Sequence, residues 1–337
     1  MTRRILPAGK LPVVLLRRLL GRYGSQDPRV ILGPGVGRDA AVIDLEDRLL
    51  VAKSDPITFA AEEIGWYVVN VNANDVATLG CKPRWFLATI LLPEGKARED
   101  DAEAIFQQIH EACETLGVSL CGGHTEITLG LERPLISGMM LGEMDRERLV
   151  RPDGAMPGDR LLLTKGIAIE GTAVLAREHG RLRERLSPEE LERCHGFLRH
   201  PGISVVAEAL LACEAATIHA MHDPTEGGIA TALHEMAESS SVGLRVHAEA
   251  MPVYPETRRI CEVLGLNPLG LLASGALLLC VPPEGSQRVV SALEGAGIPV
   301  SDIGEMTEAR EGVRLLQEGK EQPMPVFLQD EVARALA

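Results

Sequence analysis

Apolar positions change their spacing repeatedly along the chain, and the changes mark its elements. In AEEIGWYVVNVNANDVATLGCKP at 61–83, Ile64, Tyr67, Val68, Val71 and Leu79 follow a helical period, while Asn72, Asp75 and Thr78 recur three apart on another face. Gly80 and Pro83 stop that helix. Ahead of it, an amphipathic helix near the N-terminus is followed by GPGVG at 33–37, a tight loop from which Asp39 leads into an apolar strand. RLLVAKSDPITFA predicts a second strand that ends at Lys53, Ser54 and Asp55. Beyond the helix come a strand at 84–93, a helix with Ile105, Ile109, Ala112 and Leu116 facing inward, and a strand VSLC that runs into a turn, GGHTEIT, at 122–128. A strand RPLISGMMLGEM closes this half.

RPDGAMPGD at 151–159 is a strong break, and we place the domain boundary there, giving units 1–155 and 156–337. Strands and helices then alternate through LLLTKG, IAIEGTAVLARE, a helix from Val205 to Cys213, TIHAM, IATALHEMAES, LRVHAEAM, PETRRICEVLG, LLASGALLLCV, SQRVVSALEGAG and PVSDIGEM. In the charged stretch 177–200, Ser187-Pro188-Glu189-Glu190 is a capping box with Pro at the first helical position. The class is α/β (α+β), in two domains.

Charge narrows the partners. A net charge of −14 repels phosphate backbones and anionic membranes, which argues against nucleic acid and membrane surfaces. A nucleotide would need a divalent cation or local backbone N–H groups. Seven scattered cysteines without a C-x-x-C pair read as reduced thiols. The N-terminal apolar run stops at Arg17 without a cleavage site, and the run near 269–281 is too short to span a bilayer. These features read as a soluble cytoplasmic protein.

The candidate chemistry is carboxylate-rich. Asp75, set among Val and Ala, needs a hydrogen bond, a charge or a metal, or else caps a neighbouring turn. Asp39 follows the loop carrying Gly35 and Gly37, whose backbone could approach a phosphate, and Asp55 stands at a strand end where ligands gather. Lys53 beside Asp55 offers a plain salt bridge instead. His124, after Gly122 and Gly123, could be a metal ligand, a general base, a phosphate contact or an ordinary turn residue. In HDPTEGG at 222–228, His219 and His222 point to opposite faces of a strand, which argues against zinc. Thr225, Gly227 and Gly228 start a helix whose N–H groups could hold an anion, and HEMAE at 234–238 reads as that helix's exposed face.

These motifs, in this order, resemble the aminoimidazole ribonucleotide (AIR) synthetase superfamily, nearest its HypE-type hydrogenase maturation proteins. GRDAAVID is similar to a G-D-D-A-A-V loop, KSDPIT to a second acidic motif, NANDVATLGCKP to N-D-x-A-x-x-G-A-x-P, and GGHTEIT to G-G-D/E-T, while MHDPTEGGIATALHEMA and the ASGALLL strand resemble the HypE type. The resemblance implies an N-terminal mixed sheet that forms a barrel in a homodimer, a C-terminal α/β sandwich, and ATP with Mg²⁺. Carried over, Asp39, Asp55 and Asp75 hold metal. Gly35, Gly37, Asn72, Asn74, Gly122, Gly123, Thr125, Thr225, Gly227 and Gly228 lie near nucleotide, and Asp75, His124 and Asp223 act in catalysis. An unidentified acceptor and a maturation-protein partner are implied too. Arg38, His124 and Ser274 replace residues that are acidic in the pattern. The chain ends Ala335-Leu336-Ala337 and its last cysteine is Cys280, so the expected acceptor is not a C-terminal thiol. A thiamine-monophosphate-type kinase and a nucleotide-binding scaffold are the alternatives.

Overall fold

A computed structural model describes residues 6, 11–24, 27–35, 37–58, 60 and 62–337. Most of the first ten residues of the expected N-terminal helix lie outside the described residues, and the helix itself, α1, spans Val13–Tyr23. The first sheet contains β1 (Val30–Leu32), β2 (Ala41–Asp44), β3 (Leu49–Ile57), β4 (Pro83–Pro93), β5 (Ser119–Thr128) and β6 (Leu135–Met144). Its order is β1-β2-β3-β6-β4-β5, antiparallel except for the parallel β4–β5 pair. It is open in the single chain, with β1 and β5 as edges.

Two helices, α2 (Ile64–Ala77) and α3 (Glu99–Leu116), cover one face of this sheet. All fourteen residues of α2 are buried, so the helix is wrapped on every side rather than on the one face its apolar period suggested. Gly138 on β6 makes room for it: an added Cβ would lie 2.6 Å from the Asn72 side chain and 2.9 Å from that of Val68. The opposite face carries Trp85, Leu87 and Leu91 of β4 with Met139 and Leu141 of β6, paired across the strands. Trp85 is 36% and Met139 42% exposed.

The second sheet is built from β7 (Arg160–Thr164), β8 (Ala220–His222), β9 (Gly243–His247), β10 (Leu278–Val281), β11 (Val300–Thr307), β12 (Val313–Gln317) and β13 (Lys320–Pro323). Its order is β13-β12-β9-β11-β7-β10-β8. The helices of this half are α4 (Ile169–Glu178), α5 (Pro188–Gly196), α6 (Val206–Ala215), α7 (Gly228–Ser240), α8 (Pro255–Leu264), α9 (Pro283–Gly295) and α10 (Glu331–Leu336). The Ser187 capping box forms, its hydroxyl accepting from the Glu190 N–H at 3.2 Å. Among the described residues, no helix is long and apolar enough to cross a membrane.

Three local expectations change. β3 does not stop at Asp55 but continues to Ile57, because Pro56 and Ile57 pair with Ser137 and Ile136 of β6. GGHTEIT is not a turn: Gly122 to Thr128 pair residue by residue with Leu87 to Pro93, so tertiary pairing overrides the local preference of two glycines. The apolar run from Leu271 becomes a strand only at Leu278, after a turn at Ser274 and Gly275.

A candidate active site at the seam between the sheets

Two residues three apart on α2 meet two residues two apart on β3, which is how a helix and a strand present matching faces. The Asn72 amide accepts from the Asp55 N–H at 2.8 Å and donates to the Asp55 carbonyl at 3.2 Å and to the Val68 carbonyl at 2.8 Å. One turn later, Asp75 faces Lys53, whose Nζ lies 3.0 Å from Asp75 Oδ2 and 3.1 Å from Asp55 Oδ2. Lys53 therefore bridges both acids, and Asp55 keeps a solvent-facing carboxylate, 42% exposed. Asn74 spends both ends of its amide on the second half of the chain, donating to the Ile203 carbonyl and accepting from the Val205 N–H, each at 2.8 Å. Asn72 and Asn74 thus hold backbone in place.

The second sheet completes the cluster. His222, at the end of β8, sets Nδ1 3.1 Å from Asp39 Oδ2 and Nε2 3.0 Å from Glu235 Oε2. Asp223 follows it, fully buried, and neither of its carboxylate oxygens has a hydrogen-bond partner among the described residues. One ligand atom each from Asp39, His222 and Asp223 lie within 4.8 Å of one another. Gly37 brings the glycine loop onto α7. Its φ is +67°, and an added Cβ would stand 3.1 Å from the Glu235 carbonyl oxygen.

The electrostatics follow from burial. Burial pushes the Asp75 carboxyl up to about 7, with Lys53 pulling down and Asp39 and Asp55 pushing further up. Burial also raises Asp223 well above the usual carboxylate range, and the charges of Asp75 and Asp39 add to it. His222 moves the other way: burial disfavours its charged form, but Asp39 and Glu235 outweigh it and hold the imidazole pKa well above 6.5. Two cations, Lys53 and His222, thus sit among five acids, and one carboxylate, that of Asp223, is left without a donor among the described residues.

Other candidates fall elsewhere. Asp55 and Gly123 lie in one cross-strand row, Asp55–Gly138–Ala88–Gly123, three strand spacings or roughly 14 Å apart. His124 on the exposed edge strand pairs with Glu126 at 3.1 Å. Gly122, Gly123, His124 and Thr125 line a shallow cavity of about 240 Å³ with Phe106 and Leu120. At the start of α7, the Gly227 N–H already donates to Asp330 Oδ2 at 2.6 Å, so the chain's own carboxylate takes that place. The Gly228 N–H donates to the Thr225 carbonyl at 3.1 Å.

The sequence pattern weighed His222 only as a zinc ligand and set it aside, and placed Glu235 on an exposed face. Glu235 is not on an exposed face, since its side chain is 18% exposed and bound to His222. Strand alternation, used against zinc, does separate the two histidines: His219 turns to Asp159 at 2.9 Å. The same alternation points His222 at Asp39, a partner that no local spacing announces.

The sequence model of the AIR synthase related protein N-terminal domain matches residues 37–144, and that of the C-terminal domain matches residues 156–316. A putative hydrogenase expression/formation protein of Methanocaldococcus jannaschii is 30% identical over 287 residues, covering 82% of this chain and 81% of that protein. A carbamoyl dehydratase HypE of Rhizobium leguminosarum bv. viciae is 31% identical over 267 residues, 76% of this chain and 73% of the relative. Among solved structures, the hydrogenase maturation protein HypE in complex with ATP superposes with a TM-score of 0.72 at 24% identity, over 94% of this chain and 96% of that one. The thiamine monophosphate kinase of Aquifex aeolicus gives 0.71 at 21% identity, over 92% and 98%. Both structural likenesses speak to the fold.

Proposed function

Because this chain belongs to the AIR synthase related protein family, with hydrogenase expression/formation proteins among its relatives, we propose that it is a HypE-like enzyme of hydrogenase maturation. In this reading it uses ATP and Mg²⁺ to activate an amide-like or other oxygen acceptor by phosphoryl transfer. The observation that carries the proposal is the leftover carboxylate. Asp223 is buried, neither of its oxygens has a hydrogen-bond partner among the described residues, and it stands beside Asp39 and His222 in a cluster that already holds Lys53. An uncompensated buried carboxylate is costly, and a divalent cation is the group that would relieve it.

Asp39 and Asp223 supply oxygen donors suited to a hard cation, and in this reading Asp75, whose Oδ2 meets Lys53, and Asp55, the more exposed acid, join them when the cation binds. Magnesium with a nucleotide would supply neutralisation of the charge on the transferred phosphoryl group. The chain's own work is positioning. Asn72 fixes the Asp55 backbone, Lys53 keeps Asp75 and Asp55 together, and Glu235 orients the His222 ring by holding Nε2. His222 holds a proton between Asp39 and Glu235 and must give it up before its nitrogen can serve as a ligand. The acceptor in this reading is a separate molecule.

We also propose a homodimer in which the uncovered apolar face of the first sheet, with Trp85 and Met139, closes into a barrel. The roughly 14 Å between Asp55 and Gly123 then makes sense as a distance bridged by an extended ligand or by the partner's edge strand. The division into units 1–155 and 156–337, a cytoplasmic setting and a maturation-protein partner belong to the same proposal.

The test is calorimetric titration with ATP, with and without Mg²⁺, on the parent and on Asp75→Asn. Mg-dependent binding that the substitution abolishes supports the site; a parent that binds no nucleotide sinks the enzyme reading. The kinase alternative is decided by turnover with thiamine monophosphate, and the scaffold alternative by binding without any turnover.

A further inference from the structure

A second concave site lies at the far end of the first sheet, where β3 and β4 begin, β6 ends, and α6 of the other half packs against them. It encloses about 170 Å³ and is lined by Arg48, Lys82, Arg84, Arg148, Glu143 and Glu214, among others. Arg48 is seven residues from Asp55 along extended chain, roughly 23 Å, so this pocket is separate from the acidic cluster. Arg48 approaches Asp145 at 3.8 Å, whereas Lys82, Arg84 and Arg148 form no ion pair or hydrogen bond through their side chains among the described residues. Four cations face three acids on this wall, Glu143, Asp145 and Glu214, which leaves the hollow net positive in a chain of net charge −14. The frame around them is fixed: the Val150 N–H donates to the Leu79 carbonyl at 3.1 Å, and the Arg148 N–H donates to the Asp145 carbonyl at 3.1 Å. Gly80, at φ +75°, comes so close to Arg148 that an added Cβ would lie 2.8 Å from its carbonyl oxygen.

We propose that this pocket binds inorganic phosphate and selects it over sulfate. Its volume falls below the roughly 300 Å³ at which sites for drug-sized ligands begin, so a compact oxyanion fits and a nucleotide does not. Guanidinium forks match phosphate oxygens in pairs, and Arg84 and Arg148 provide two of them. The carboxylates on the wall give the selectivity. Glu143 and Glu214 form no ion pair among the described residues, and an ionised carboxylate only accepts hydrogen bonds. Phosphate at neutral pH keeps a P–OH that can donate to such an oxygen. Sulfate has no proton to offer and meets repulsion there instead.

The experiment is calorimetric titration of the full chain with inorganic phosphate and, separately, with sulfate, at low ionic strength in EDTA without nucleotide. The parent is expected to bind phosphate and not sulfate. Arg148→Ala and Lys82→Ala, both surface changes, are expected to weaken phosphate binding by about tenfold or more each, the effect of losing one charge-assisted contact. Glu143→Gln, whose amide can donate, is expected to admit sulfate. A parent that binds neither anion overturns the proposal, as does equal binding of the two or cation variants that bind phosphate as the parent does. Thermal melts of each variant establish that the fold is retained, so a loss of binding is read at the pocket.

Discussion

Removing the negative charge at position 223 should make the metal-free protein more stable, and increasingly so as pH rises. Asp223 is buried without a hydrogen-bond partner among the described residues, and its pKa is raised first by burial and then by the charges of Asp75 and Asp39. The folded state therefore binds a proton at pH values where the unfolded chain, with a carboxyl near 3.8, has released it. Stability then falls as pH rises through that interval, by about 1.4 kcal/mol per pH unit while the folded carboxyl stays protonated. Asp223→Asn keeps the shape and does not titrate. Between pH 5 and pH 7 its advantage over the parent should widen by up to about 2.7 kcal/mol, less whatever part Asp75 takes up when its neighbour's charge is gone. For a 337-residue chain unfolding as one unit, with an entropy of about 2.1 cal/mol/K per residue, that is about 4 °C in Tm. The assay is a thermal melt in EDTA at pH 5, 6, 7 and 8, with a parallel series in excess Mg²⁺, where the order should reverse because the variant has lost a ligand. A variant that is less stable than the parent at pH 8 in EDTA, or whose advantage does not change with pH, would refute the assignment of Asp223 as an uncompensated carboxylate.

Other substitutions test the surrounding charges. Lys53→Met leaves Asp75 and Asp55 without their shared cation and should cost about 3–5 kcal/mol in urea unfolding at pH 8. The loss should shrink at pH 5, because a carboxyl raised to about 7 is protonated there. Lys165→Met should cost a similar amount, about 3–5 kcal/mol, by stranding Glu208, whose Oε1 lies 2.7 Å from Lys165 Nζ in a pair only 5% and 6% exposed. If the proposed homodimer forms through the uncovered face, Trp85→Glu should convert it to a monomer in sedimentation velocity without lowering Tm by more than about 1–2 °C beyond the loss of association itself. Ser187→Ala removes one arm of the capping box and should cost about 1 kcal/mol, read from chemical denaturation.

Much of the fold was legible because hydrophobic period survives tertiary context where elements are long. The buried helix α2, its flanking strands and α3 follow from apolar spacing, and the odd polar triplet Asn72, Asp75 and Thr78 marked the helix as more than a core filler. What spacing does not carry is convergence. Lys53, Asp75, His222 and Glu235 come from four elements in both halves of the chain, and only the packing of one half against the other brings Asp39 to His222. Local rules misled where pairing was stronger than propensity, as in the glycine pair at 122–123 that runs straight on as an edge strand. The β12–β13 hairpin was missed because its strands are short and the second, KEQP, is polar and exposed. A weak signal stood in the sequence as Gly319; in the structure Glu318 and Gly319 have φ of +50° and +72°, the two positive-φ positions of a tight hairpin turn.

The three departures from the family's acidic pattern can now be weighed against what surrounds them. Arg38 does not enter the cluster. Its guanidinium donates to the Gly33 carbonyl at 3.3 Å and stands 3.8 Å from Asp153, bracing the glycine loop that Gly37 presses onto α7. His124 removes a carboxylate from an edge strand roughly 14 Å from Asp55, not from the group around Asp223. Ser274 brings no acid to the turn before β10, but the Glu170 N–H donates to the Ser274 carbonyl at 3.2 Å, which brings the start of α4 against that turn. Glu170 itself is buried, and burial pushes its carboxyl up to about 7 against the pull of the Ser274 hydroxyl. An acid near neutrality therefore stands beside position 274, supplied by another element. None of the three departures removes Asp39 or Asp223, the carboxylates that a divalent cation would need, or the ring nitrogen of His222 that lies with them.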